Sequence, residues 1–117
     1  MLFRSKIAQQ WIENNYMEEF DVDQLAKRCG MSRRTFERRF KNATGDTPLA
    51  YLQRMRVETA KRLLENHMLT FDEICYQVGY ENSCFFREVF KKYTRMLPSE
   101  YQKTFQNYNL SYTRSIV

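Results

Sequence analysis

The sequence predicts an all-α fold, and three observations support this. The 117 residues contain only three glycines and two prolines, so turn punctuation is sparse. Apolar residues recur at helical spacing, and no alternating segment with hairpin punctuation interrupts them. The chain also repeats itself. At one offset, Asp23, Leu25, Ala26, Cys29 and Gly30 face Asp72, Ile74, Cys75, Val78 and Gly79. One residue further, Phe36, Phe40, Lys41, Thr44, Pro48 and Tyr51 face Phe86, Phe90, Lys91, Thr94, Pro98 and Tyr101. The slip falls just after the glycine, in a turn, where an extra residue is tolerated.

The elements follow in order. An opening helix over about 5 to 17 would place Ile7, Trp11, Ile12 and Tyr16 on one face. Asp21 with Gln24 has the spacing of a capping box and starts a short helix with Leu25 inward. Gly30 closes that helix, where a positive φ is needed. Ser32 caps the next helix, to which Phe36 and Phe40 give a buried edge. Gly45 ends it, and Thr47-Pro48 opens a long helix over roughly 48 to 65. Leu49, Leu52, Met55, Ala60, Leu63 and Leu64 make its apolar stripe, while Arg54, Glu58 and Arg62 alternate in sign. At ~1.5 Å per residue it is about 27 Å long, a rod between the two copies. Thr70 with Glu73, Gly79, Asn82 and Phe86/Phe90 then repeat the first copy's signals. The tail 106–117 lacks periodicity and is expected to be poorly ordered.

Composition narrows the function. The net charge of +5 suits an anionic partner without demanding one. Cys29, Cys75 and Cys84 form no CxxC pair, and with the lone His67 they offer no zinc-site spacing. An odd cysteine count without a secretory signal points to a reducing cytoplasm. On helical spacing Cys29 and Cys75 face inward as core filler, and Trp11 is a core anchor. No cofactor is expected. No apolar run approaches the ~20 residues that cross a membrane.

Each copy reads helix, tight turn, helix, the arrangement that puts a second helix into the major groove of DNA. Wheel angles at ~100° per residue test this. With the Phe36/Phe40 edge inward, Arg38 points almost directly outward and Arg34 lies about 40° away. Arginine's planar fork can bond guanine O6 and N7 together, so Arg34 and Arg38 are expected to read bases. Arg33, Arg39 and Lys41 flank them toward phosphate. In the second copy the outward positions are Cys84 and Glu88, with Asn82 and Ser83 at the helix start; Glu88 could accept from cytosine N4. Arg87, Lys91 and Lys92 remain for phosphates. The second helix is expected to grip more weakly.

These residues carry a family resemblance. Over about residues 6 to 105 the chain resembles the DNA-binding domain of the AraC/XylS regulators of bacterial transcription. "DEICYQVGYENSCFFREVFKKYTRMLPSEYQ" is its most specific part, and "DVDQLAKRCGMSRRTFERRFKNATGDTPLAYLQRMRVETAKRLL" is equally characteristic. The wording is particularly similar to regulators with an N-terminal DJ-1/PfpI-type domain. The resemblance implies about seven helices in two helix-turn-helix subdomains joined by a long central helix. Its base-contacting positions fall on Arg34, Glu37 and Arg38, and on Asn82, Ser83, Cys84 and Glu88. Ser32 and Arg95 join the phosphate set. One departure is Arg95, where the family usually has glycine, as at Gly45. If the helix end is left-handed there, Arg95 costs roughly 1 kcal/mol relative to glycine; either the turn differs, or that cost is tolerated so that Arg95 can reach a phosphate.

The expected organisation is a linker end at 1–6, a first subdomain at 7–53, the connecting helix at 48–66, and a second subdomain at 67–105. No effector or dimerisation domain fits in 117 residues, which suits a small stand-alone regulator or a C-terminal fragment. The expected function is sequence-specific binding of double-stranded DNA in transcription, with RNA polymerase a candidate second partner and the cytoplasm as location. A helical domain docking an acidic protein is the rival from another class. An enzyme is disfavoured by the single histidine and the lack of a phosphate loop or nucleophile motif.

Overall fold

The computed structural model describes residues 2–66 and 69–105, with side chains from Ser5 onward. His67 and the tail at 106–117, both discussed above, lie outside the described residues. Seven helices are present among the described residues: α1 (Leu2–Asn15), α2 (Val22–Arg28), α3 (Arg33–Thr44), α4 (Pro48–Glu65), α5 (Phe71–Gln77), α6 (Ser83–Thr94) and α7 (98–105). They form two compact units, Met1–Arg56 and Val57–Val117, and the boundary falls within α4.

Caps set the helix starts. Asp21 accepts from the N–H groups of Asp23 and Gln24, and Ser32 from that of Thr35. Thr70 accepts from Glu73 N–H, and Asn82 from those of Cys84 and Phe85. Each side chain satisfies donors that the first helical turn leaves orphaned. The tight turns are also alike. Gly30 N–H donates to Lys27 O and Met31 N–H to Ala26 O; Gly79 N–H donates to Tyr76 O and Tyr80 N–H to Cys75 O. These paired bonds form a Schellman motif, whose left-handed residue is the glycine.

The first unit's core is Ala8, Ile12, Leu25, Ala26, Cys29, Phe36, Phe40 and Leu52, with Trp11, Tyr16 and Tyr51 packed against it. In the second unit Val57, Ala60, Leu64, Ile74, Cys75, Val78, Phe86, Val89 and Phe90 are buried. The correspondence extends beyond the helix-turn-helix. At one constant offset Ser5, Ala8, Ile12 and Glu13 of α1 match Val57, Ala60, Leu64 and Glu65 of α4. Tyr51 OH donates to Glu13 Oε1 at 2.8 Å, and Tyr101 OH donates to Glu65 Oε1 at 2.6 Å. Tyr51 packs edge-on against Phe40 (5.4 Å) and Tyr101 against Phe90 (5.9 Å). Each unit is therefore four helical segments. The first half of α4 closes the first unit, and its second half opens the second.

Three expectations need correction. Ile7 is 46% exposed, because the buried stripe of α1 runs through Ser5, Ala8 and Ile12 instead. Leu49 is 53% exposed, since α4 buries Leu52, Arg56, Val57, Ala60 and Leu64. The helix α1 begins at Leu2, inside the stretch expected to be a linker end, because Ser5 and Ala8 already supply its buried face. Arg56 is buried for a specific reason: its Nε donates to Tyr16 O (2.6 Å) and its Nη2 to Glu18 O (2.8 Å), just past the end of α1. A cation on orphaned carbonyls at a helix C-terminus is doubly favourable.

The turn after α6 resolves the question posed by Arg95. Arg95 has φ 63° and ψ 18°, so the left-handed conformation is kept and the turn does not differ from its counterpart at Gly45, φ 87°. Thr44 and Thr94 make the same bonds. Each hydroxyl lies 2.8 Å from the carbonyl four residues back (Phe40 or Phe90) and 3.0 Å from the carbonyl two residues on (Asp46 or Met96). Gly45 N–H donates to Lys41 O and Arg95 N–H to Lys91 O, both at 2.7 Å.

Candidate nucleic-acid interface

In the first unit α3 buries Phe36 and Phe40 and turns its other side outward. Arg34 and Arg38 are exposed on that side, and no ion pair engages either among the described residues. Two guanidinium groups one turn apart, both open to solvent, can fork onto base edges or phosphates. Lys41 is exposed further along the helix. Arg39 is half-buried and lines a small recess with Ser5, Cys29 and Met31.

Arg33 has other partners. Its Nε lies 3.1 Å from Glu37 Oε1, and its Nη1 lies 3.6 Å from Asp23 Oδ2 on α2. The pair thus ties the brace helix to the outward helix and orients Glu37. Both links are exposed, so they add little stability. In the sequence Asp23 stands out only as a repeat position; its pairing with Arg33 is not legible there, because it depends on how α2 crosses α3. Ser32 is committed to its cap, accepting from Thr35 N–H (3.3 Å) and donating to Thr35 Oγ1 (3.1 Å).

In the second unit α6 buries Phe86, Val89 and Phe90. Cys84 and Glu88 are exposed where the first unit has Arg34 and Arg38. Asn82 Oδ1 is used by the cap (2.9 Å from Cys84 N, 3.1 Å from Phe85 N), which leaves its amide group as a donor. Ser83 is half-buried, and Lys91 and Lys92 are exposed. The Arg87 guanidinium sits 5.5 Å above the Phe71 ring, and Lys92 Nζ lies 5.4 Å from the Tyr93 ring. Arg95 is exposed at the end of α6. None of the three cysteines is disulfide-bonded; Cys29 and Cys75 are buried and Cys84 is exposed. Burial first, then nearby Asp72, raises the Cys75 thiol above its ordinary range.

A shallow groove recurs at equivalent positions with its charge reversed. In the first unit it has a volume of about 500 Å³ and is lined by Glu19, Asp21, Arg33 and Glu37 around Phe20 and Leu49. In the second it measures about 250 Å³, with Thr70, Ser99 and Arg87 around Leu69, Phe71 and Leu97. Glu37 and Arg87 occupy the same repeat position. Sequence reasoning also passed over Phe85. It is 50% exposed in the first turn of α6, and the signal was its position off the Phe86/Phe90 edge.

Among the described residues no group of three or more His, Cys, Asp or Glu is placed to hold a metal ion. No helix among them is long and apolar enough to cross a membrane.

Comparison with known proteins gives consistent matches. A family model described as a helix-turn-helix domain matches residues 25–104. An HTH-type transcriptional regulator from the cgkA 5′ region of Pseudoalteromonas carrageenovora is 37% identical over 100 residues, covering 86% of this chain and 59% of that protein. The transcriptional activator RhaS of Escherichia coli is 32% identical over 89 residues, covering 76% of this chain and 32% of the activator. The chain thus spans less than two thirds of either relative. Among solved structures, the DNA-binding domain of AdpA in complex with a target DNA superposes with a TM-score of 0.81 at 35% identity, covering 88% of this chain and 93% of that one.

Proposed function

Because the chain belongs to the AraC/XylS family of helix-turn-helix transcription regulators, we propose that it binds double-stranded DNA sequence-specifically and thereby regulates transcription in the bacterial cytoplasm. Each unit offers one outward helix, α3 or α6, to a major groove. The observation that carries this reading is the exposed Arg34/Arg38 pair opposite the buried Phe36/Phe40 edge. A solvated helix face has no need of two arginines one turn apart and clear of local carboxylates. The relative solved with its target DNA supports the same reading.

In this reading Arg34 and Arg38 fork onto guanines, with Glu37 beside them accepting from cytosine N4. Asn82, Ser83, Cys84 and Glu88 form the second, weaker reading edge. Ser32, Arg33, Arg39, Lys41, Arg87, Lys91, Lys92 and Arg95 supply phosphate contacts, which position without reading. Arg33 is the least available of these, being held by Asp23 and Glu37. The chain does no catalysis of its own. RNA polymerase is the second macromolecule such a regulator would meet.

Selection from a random duplex pool, followed by titration against salt, tests the proposal. A bound motif resistant to excess random DNA is expected, with log Kd linear in log salt. Binding that never distinguishes selected from random duplex would overturn it. Arg39→Ala should weaken both duplexes alike and reduce the salt slope by about one.

A further inference from the structure

We propose that Phe85 reads a thymine through its C5-methyl group, so that the second recognition helix selects by apolar contact where the first selects by hydrogen bonds. This rests on the reading that α6 lies in a major groove. Phe85 stands in the first turn of a 12-residue helix whose start faces base edges in helix-turn-helix docking. At ~100° per residue it lies about 60° from the direction opposite the Phe86/Phe90 edge, with Cys84 about 40° away on the other side of Glu88.

Phe85 is half-exposed on an outward face otherwise made of polar and charged side chains. It is not a loose ring. Tyr80 packs against it at 5.8 Å, and Tyr80 in turn stacks at 4.7 Å on the fully buried Phe86. The core thus holds one side of the ring while the other faces out. The equivalent residue of the first unit is Thr35, a half-buried side chain occupied by its hydrogen bond with Ser32. The outward first turn of α6 therefore displays an aromatic ring and a thiol in place of strong donors. In the major groove the apolar feature of a base edge is the thymine methyl, and phenylalanine is among the side chains that contact it.

The test replaces each thymine of the selected duplex, one at a time, by deoxyuridine, which removes only the methyl. With the native chain one substitution should weaken binding about fourfold, the factor expected for returning one methyl to water. Phe85→Ala should bind the thymine and uracil duplexes equally. Phe85→Leu, which keeps an apolar side chain there, should retain part of the preference, and it serves if the alanine variant fails to fold. A chain that prefers its selected duplex yet ignores every thymine-to-uracil change refutes the proposal and leaves the DNA-binding reading intact. An unchanged thymine preference in Phe85→Ala refutes it equally. Failure to prefer any selected duplex removes the reading and this inference together.

Discussion

Opposite the buried Phe36/Phe40 edge of the first unit stands Arg38; opposite Phe86/Phe90 in the second stands Glu88. Around these residues the two units agree closely: the same caps, the same Schellman turns, the same threonine bridge and the same tyrosine reaching back to a glutamate. Their outward faces differ almost everywhere, and the groove beside the outward helix carries Glu37 in one and Arg87 in the other. The frame is constrained because every part of it closes a hydrogen bond or fills a core. The outward face answers only to its ligand and can diverge. Two copies of one frame can therefore read in different chemical languages.

The largest effects should show the frames to be alike. Phe40→Ala and Phe90→Ala each remove a ring that is at most 1% exposed, and each should destabilise by about 3–5 kcal/mol in urea unfolding. A large inequality between them would break the equivalence. Next come the outward faces. Arg38→Ala should lose about 1–3 kcal/mol of binding and relax the base preference. Glu88→Ala should leave affinity for random duplex unchanged or raise it, since it removes a negative charge near phosphates, and should only weakly relax the preference for the selected duplex, as expected of the weaker reading edge. Fluorescence anisotropy on selected and random duplexes distinguishes these outcomes, and equal losses from both would undo the division of labour.

Smaller effects test the turns after α3 and α6. Arg95→Gly should stabilise, and Gly45→Ala should destabilise, each by about 1 kcal/mol. A Cβ at position 45 would meet nothing within 4 Å, so the cost there is the dihedral angle alone. If Arg95→Gly instead weakens DNA binding while it stabilises the fold, the strained arginine is retained for its charge.

The remaining effects concern pH. Burial, then the hydrogen bond to Glu13 and that residue's charge, push the Tyr51 phenol up to about 12. Tyr101 is raised too, by burial and then by its bond to Glu65. A phenol whose folded pKa exceeds its unfolded value of 10.0 contributes its full stability below pH 10. That contribution fades as pH climbs from about 10 to about 12. Melting temperatures of the native chain should fall across this window, and Tyr51→Phe should fall less.

Local features of this fold were legible in the sequence. Asp21, Ser32, Thr70 and Asn82 announced their caps because a cap involves neighbours two or three residues apart. The phenylalanine edges were legible from i, i+4 spacing. Helical periodicity could not choose between adjacent candidates, so Ile7 and Leu49 were placed inward in error. The match between α1 and the second half of α4 was hidden because only Ala8/Ala60 and Glu13/Glu65 are identical in it; Ser5 answers Val57 and Ile12 answers Leu64, pairs alike in burial and not in identity. The outward exposure of Arg34 and Arg38 followed from the wheel. The hold of Asp23 on Arg33 did not, since it arises only when α2 and α3 pack.

The sharing of α4 has a consequence for how the chain melts. A flexible tether would let one unit unfold while the other stood. A continuous helix cannot be released so cleanly: losing the half that serves one core exposes a new terminus in the other half, with backbone groups stripped of partners. Helix propagation is cooperative, so fraying should pass along the helix from one core to the next. Trp11, the only tryptophan, reports on the first unit, whereas far-ultraviolet circular dichroism reports on both. Their denaturation curves should coincide, as expected when two cores with a helix in common unfold as one cooperative body.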